Sequence, residues 1–229
     1  MIEDTGVRRE FGEGPLSRAA ALVYSLLVVE LLFLLTTAPA LVPLVLLDRD
    51  PSNIPLAALC VLPVGPALSA ALYALHHRTA DLTDLHPAAA FWRGYRANVA
   101  GALRIWIPWV AWLAILAINL ANFAAAGVPG WWAVLLVLVA LAVSLWGLNA
   151  LVITSLFSFR TRDIVRLAAY FVGHARGVTL GHAGLLAAVV GVTVLTSEAV
   201  LALLGSVFAL AVLSTSRPVT DEVRREYTG

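Results

Sequence analysis

From residue 19 onward the apolar residues come in long blocks divided by short polar breaks, without the alternation of strands. About 20 consecutive apolar residues carry a helix across the hydrocarbon of a bilayer. Six blocks approach or pass that length: 19–46, 54–75, 103–123, 131–153, 178–196 and 199–214. The pattern predicts an all-α, polytopic membrane helix bundle with six transmembrane helices. Only Ser197-Glu198 divides the last two blocks, which predicts a tight hairpin. Pro39 and Pro43 are expected to kink or end the first helix near Ala38, since proline lacks the N–H that continues the ladder. In the second block the run Leu62-Pro63-Val64-Gly65-Pro66 predicts a kinked or partly unwound span, with Gly65 admitting a neighbouring helix.

Two polar breaks carry a pattern of their own. Segments 87–102 and 162–176 read as amphipathic helices lying at the membrane interface, with Phe91, Tyr95 and Val99 on one face. Pro87 suits a first helical turn, and Thr161 or Asp163 suits a cap. The two segments also match at a constant offset. Asp84-Leu85 pairs with Asp163-Ile164, Ala89-Ala90-Phe91-Trp92 with Ala168-Ala169-Tyr170-Phe171, Gly94 with Gly173, and Val99 with Val178. A duplication would make two parallel repeats, each a span, an interfacial helix and a returning span; the shared amphipathic constraint alone would produce the same match.

Charge then orients the chain. All fifteen basic residues are arginine. Fourteen lie before the first block, between the second block and the start of the third (Arg104 included), between the fourth and fifth, or after the sixth; Arg49 stands alone on the other side. Cytoplasmic loops carry the excess of Lys and Arg, so both termini and both long loops are expected in the cytoplasm. His76-His77-Arg78 marks where the second span leaves the membrane, and Trp106, Trp109, Trp112, Trp131 and Trp132 read as interfacial aromatics.

Composition agrees. The chain is 61% hydrophobic and 13% charged, with a mean hydropathy of +0.90, where soluble domains carry about a quarter charged residues. Lipid must be much of its solvent. A single integral membrane domain covers 1–229. A net charge of +1 without a basic, aromatic-interleaved stripe gives no sign of nucleic-acid binding. The lone Cys60 permits no internal disulfide. Arg8-Arg9-Glu10-Phe11 faintly resembles a twin-arginine signal, but the apolar run that follows exceeds an ordinary signal core, so a retained first span is expected.

Glu30 lies about eleven residues into the first span, roughly 16 Å deep. An acid near mid-membrane faces protein or a cavity. It reads either as a proton, substrate or partner contact, or as a structural acid paired with Asn149. Asn119, Asn122 and Asn149 read as interhelical hydrogen-bonding residues or a polar path. Gly177, Gly181, Gly184 and Ala188 form a small-residue stripe suited to close helix packing. His182 reads as a packed or interfacial histidine. His76, His77 and His86 have no metal-ligand spacing, so neither a metal nor another cofactor is expected. No nucleotide loop, nucleophile elbow or carboxylate pair points to catalysis.

The segment LPVGPALSAALYAL followed by FWRGYRANVAGAL resembles the YesL-like bacterial membrane proteins, grouped as domain of unknown function 624. The residues that carry the resemblance are Pro63, Gly65, Pro66, Ala67, Leu68, Ala71, Leu72 and Tyr73, then Phe91, Arg93, Gly94, Tyr95, Arg96 and Asn98. The Asp48–Asn53 loop and a second apolar stretch stand where relatives turn more directly from the first span. Members are often encoded beside carbohydrate ABC importers. The resemblance therefore implies an accessory membrane subunit of such an importer, without catalysis of its own, in contact with permease subunits and the lipid bilayer. Phe91, Trp92, Tyr95, Arg96, Tyr170 and Phe171 would add a contact on the cytoplasmic side. A stand-alone transporter or channel is the rival reading, and an intramembrane enzyme a third.

Overall fold

A computed structural model describes residues 15–48, 50–78, 85–196 and 198–227. Within them every regular element is helical. In chain order they are α1 (Pro15–Leu46), α2 (Ile54–Cys60), α3 (Val64–His76), α4 (Pro87–Ala121), α5 (Trp131–Leu156), α6 (Thr161–His174), α7 (Arg176–Leu195), α8 (Glu198–Ala202), α9 (Gly205–Thr215) and α10 (Arg217–Tyr227). The twin-arginine-like run, Arg49, Asp84 and Ser197 fall outside the described residues.

Among the described residues four helices are long and apolar enough to cross a membrane: α1, α4, α5 and α7. The bent pair α2–α3 makes a fifth if its two parts are one span. Among the described residues this makes four or five candidate spans, short of the six expected. Block 199–214 divides into α8 and α9, of 5 and 11 residues, and neither alone covers the hydrocarbon.

The prolines act differently in the two broken-looking blocks. α1 runs through Pro39 and Pro43 to Leu46, so these residues do not end it near Ala38. The Thr36 and Thr37 hydroxyls bond back to the carbonyls of Leu32 and Phe33 just upstream. In the second block the helix does break: α2 stops at Cys60, α3 starts at Val64, and the axes bend by 44°. Ahead of that pair, the Asp50 side chain caps a turn of 3-10 helix over Pro51–Asn53. Hydrogen bonds from the Ser52 hydroxyl and N–H hold the Asp50 carboxyl below its usual pKa.

The interfacial segments need correction as well. Segment 87–102 is the first half of α4, continuous with the span that follows, with Pro87 in the first turn as expected. Segment 162–176 lies mostly in α6, which Ala175 (φ −90°, ψ 66°) separates from α7. The residue preceding α6 is Arg160, with no side-chain cap; Asp163 sits in the first turn, where the helix dipole favours an acid. α10 was not anticipated. Its Val219 and Val223 pack beside Phe171, Ile164 and Ile153, forming a second core next to the main one of α1, α3, α4, α5 and α9.

Burial does not follow the repeat. Phe91 is fully buried while its counterpart Tyr170 is half exposed; Trp92 is exposed while its counterpart Phe171 is fully buried. Gly94 is buried and Gly173 exposed. An offset one residue longer would bring Phe91 onto Phe171. The matched residues thus share a composition without sharing a helix face.

Candidate functional site

The residues that carry the family resemblance meet in the antiparallel contact of α3 with α4. Gly65 is flush with the Trp106 ring, which a methyl group there would overlap. One helical stretch away, a methyl on Gly94 would lie 2.7 Å from Tyr73. Each helix therefore contributes a glycine to receive an aromatic ring of the other. Asn98 Nδ2 donates to the Ser155 carbonyl at 3.0 Å and ties the pair to α5. The Ser69 and Ser155 hydroxyls, 2.9 Å apart and buried, join α3 to α5 directly.

Trp106 and Trp109 are core residues, at 5% and 8% exposure, rather than interfacial ones. Each indole does two things at once. Trp106 Nε1 donates to the Val61 carbonyl at 3.0 Å and its ring covers Gly65. Trp109 Nε1 donates to the Val143 carbonyl at 2.9 Å and its ring covers Gly147. In both cases the glycine lies four residues after the bonded carbonyl, so ring and N–H read one helical turn together. At the α2–α3 break the Val61 carbonyl also accepts from the Val64 N–H at 3.1 Å, so the indole is its second donor. Trp112, Trp131 and Trp132 are exposed, as interfacial aromatics would be.

Glu30 stands at the middle of α1. Its Oε2 accepts from the Ser206 backbone N–H at 2.6 Å, and its Oε1 is buried without a partner. Ser206 is in the first turn of α9, where backbone N–H groups lack partners inside the helix. A carboxyl oxygen there caps the helix and complements its dipole. Asn149 is buried on α5, but the contact Glu30 makes is with Ser206, so the expected Glu30–Asn149 pair is replaced by a helix cap. One turn along α1, Phe33 lies against Gly205, where a methyl would come within 2.6 Å of the ring. Glu30 and Phe33 together seat the start of α9.

Other expected sites disperse. Asn119 and Asn122 are exposed at the end of α4 and bond to the Ile115 and Ile118 carbonyls of their own helix, so they line no path. In the small-residue stripe only Gly181 packs closely, under Thr215; Gly177 and Gly184 have open space and Ala188 is exposed. Phe91 and Phe171 are core residues and leave the expected interface. Trp92 and Tyr170 remain exposed, Tyr95 is half-buried and Arg96 exposed. His77 Nδ1 bonds to the Tyr73 carbonyl at 2.9 Å. No group of three metal-ligating side chains occurs among the described residues.

His182 is fully buried, with Nε2 3.0 Å from Ser216 Oγ. The Ser216 hydroxyl donates to the Val212 carbonyl at 2.7 Å, so it accepts from the imidazole N–H. That polarity is opposite to the one that activates a serine nucleophile.

Between the two helix breaks lies a cavity of about 320 Å³. Phe33, Val61, Leu68, Trp106, Leu201 and Phe208 are among its walls, which are apolar throughout.

The model of the family described as "Protein of unknown function, DUF624" matches residues 26–120, from the middle of α1 to the end of α4. No curated protein and no solved structure matches the chain.

Proposed function

We propose, from the DUF624 (YesL-like) family assignment of residues 26–120, that this chain is an accessory integral membrane subunit of a carbohydrate ABC importer, without catalysis of its own. The link to carbohydrate import rests on the family resemblance. The observation that favours an accessory role over a sugar carrier is the lining of the cavity between the two helix breaks. A sugar site needs hydrogen-bonding groups, and the walls between the two breaks are aliphatic and aromatic. Of the polar groups nearby, one carboxyl oxygen of Glu30 caps α9, and the Trp106 and Trp109 indoles bond to main-chain carbonyls.

In this reading both termini and both arginine-rich loops face the cytoplasm of a bacterial cell. α2–α3 and α8–α9 each make one broken crossing, giving six in all. The permease contacts lipid-facing helix surfaces such as Leu27, Leu31 and Leu35 of α1, with Trp92 and Tyr170 adding contact at the arginine-rich end. Glu30 belongs to the bundle's interior and not to that surface.

A second reading, a stand-alone small-solute transporter, is favoured by one observation. Broken helices occur in both halves of the chain, as in transporters whose sites lie at such breaks. Uptake assays with the purified protein alone in liposomes separate the two. The accessory reading expects no accumulation of labelled sugar above empty liposomes. Uptake that Glu30→Gln abolishes would replace it with the transporter reading.

A further inference from the structure

At the arginine-rich end of the bundle a cavity of about 490 Å³ opens where α1 begins, α3 ends and α9 passes into α10. Its lower walls are apolar, formed by Ala21, Leu75, Leu210 and Leu213. Its rim carries Arg18, Arg78 and Arg217, which come from three separate parts of the chain. Among the described residues none of these three guanidinium groups has an ion-pair partner. Among the described residues Asp221 is the one carboxylate lining the cavity, against three arginines. His76 adds no positive charge, because its Nε2 accepts from Arg224 Nη2 at 3.1 Å and is therefore unprotonated. The Ser214 and Thr220 side chains also line the space.

Three guanidinium groups above an apolar wall, none ion-paired among the described residues, match a molecule with an anionic phosphodiester at one end and hydrocarbon at the other. We infer that this cavity is a specific site for one anionic phospholipid. The phosphate lies among Arg18, Arg78 and Arg217, and an acyl chain runs along Leu75, Leu210 and Leu213. A free phosphate would satisfy the arginines but leave the apolar wall unused. A zwitterionic lipid would fill the wall while bringing its own cation to an already cationic rim.

Native mass spectrometry of the full chain, delipidated in mild detergent and titrated with phosphatidylglycerol or phosphatidylcholine, tests this. One phosphatidylglycerol should be retained at a concentration at least tenfold lower than phosphatidylcholine requires. Each single change, Arg18→Gln, Arg78→Gln or Arg217→Gln, should weaken that retention about fivefold. These side chains are exposed, so the variants should elute as the parent does. Arg162→Gln with Arg166→Gln, on α6 and away from this cavity, should leave retention unchanged. Equal retention of the two lipids would overturn the inference, as would equal losses in the control variant. Displacement of phosphatidylglycerol by millimolar inorganic phosphate would show a free-anion site instead.

Discussion

Glu30→Leu leaves the Ser206 N–H without its acceptor in an apolar setting, at a cost of about 1–3 kcal/mol. Glu30→Gln keeps an acceptor oxygen in place and should cost less. The expected result is a clear drop in the thermal midpoint of the leucine variant in detergent, with the glutamine variant close to the parent. Equal midpoints for all three would mean the α9 cap carries no stability. Trp109→Phe keeps most of the ring over Gly147 but removes the bond to the Val143 carbonyl, a loss of about 0.5–1.5 kcal/mol measurable in the same assay. The depth of Glu30 was legible from its place in the first apolar run; its partner was not. A backbone N–H gives no side-chain signal, whereas Asn149 offers an amide that a sequence reading naturally pairs with an acid. The two buried tryptophans were misread for a related reason. Tryptophan near the end of an apolar block has the signature of an interfacial belt, and only Gly65 and Gly147, far away in sequence, reveal the sockets.

The two broken helices differ in how they announce themselves. Pro63 and Pro66 mark the α2–α3 break in the sequence, since each lacks the N–H that continues the ladder, but α1 runs on through Pro39 and Pro43, so a proline pair alone does not decide a break. The α8–α9 break at Leu203–Leu204 has no proline; it depends on Glu30 and Phe33 from α1, so it reads as uninterrupted hydrocarbon. α10 was missed because apolar blocks dominated the reading, although Val219 and Val223 already sit at i, i+4 spacing. The α3–α4 contact supplies the element's own test. Gly65→Ala places a methyl inside the Trp106 ring position, and overpacking of this kind costs about 1–3 kcal/mol. Gly173→Ala, at an open position, should cost little or stabilise the helix. A reversed order of the two midpoints would contradict the packing described for α3 and α4.

For the whole molecule, the arginine distribution makes a topology that cysteine labelling checks. In a Cys60→Ala background, Ser52→Cys and Val128→Cys should react with an impermeant thiol reagent outside intact cells, and Thr161→Cys should not. Val128 is chosen over Gly127, whose φ of +63° disfavours a side chain. The reverse labelling pattern would invert the proposed orientation. The class of the protein was legible throughout, since long apolar blocks leave few alternatives to a membrane bundle; the number of uninterrupted crossings was not, because helix breaks are set by tertiary caps. The central claim concerns what this bundle serves. Purification of the tagged full chain from its own membranes in mild detergent, with the co-purifying proteins identified by mass spectrometry, tests it most directly. The account predicts permease subunits of a carbohydrate ABC importer in near-stoichiometric amount. Recovery of the chain alone, from an extract in which those permeases remain intact with their own partners, would contradict it.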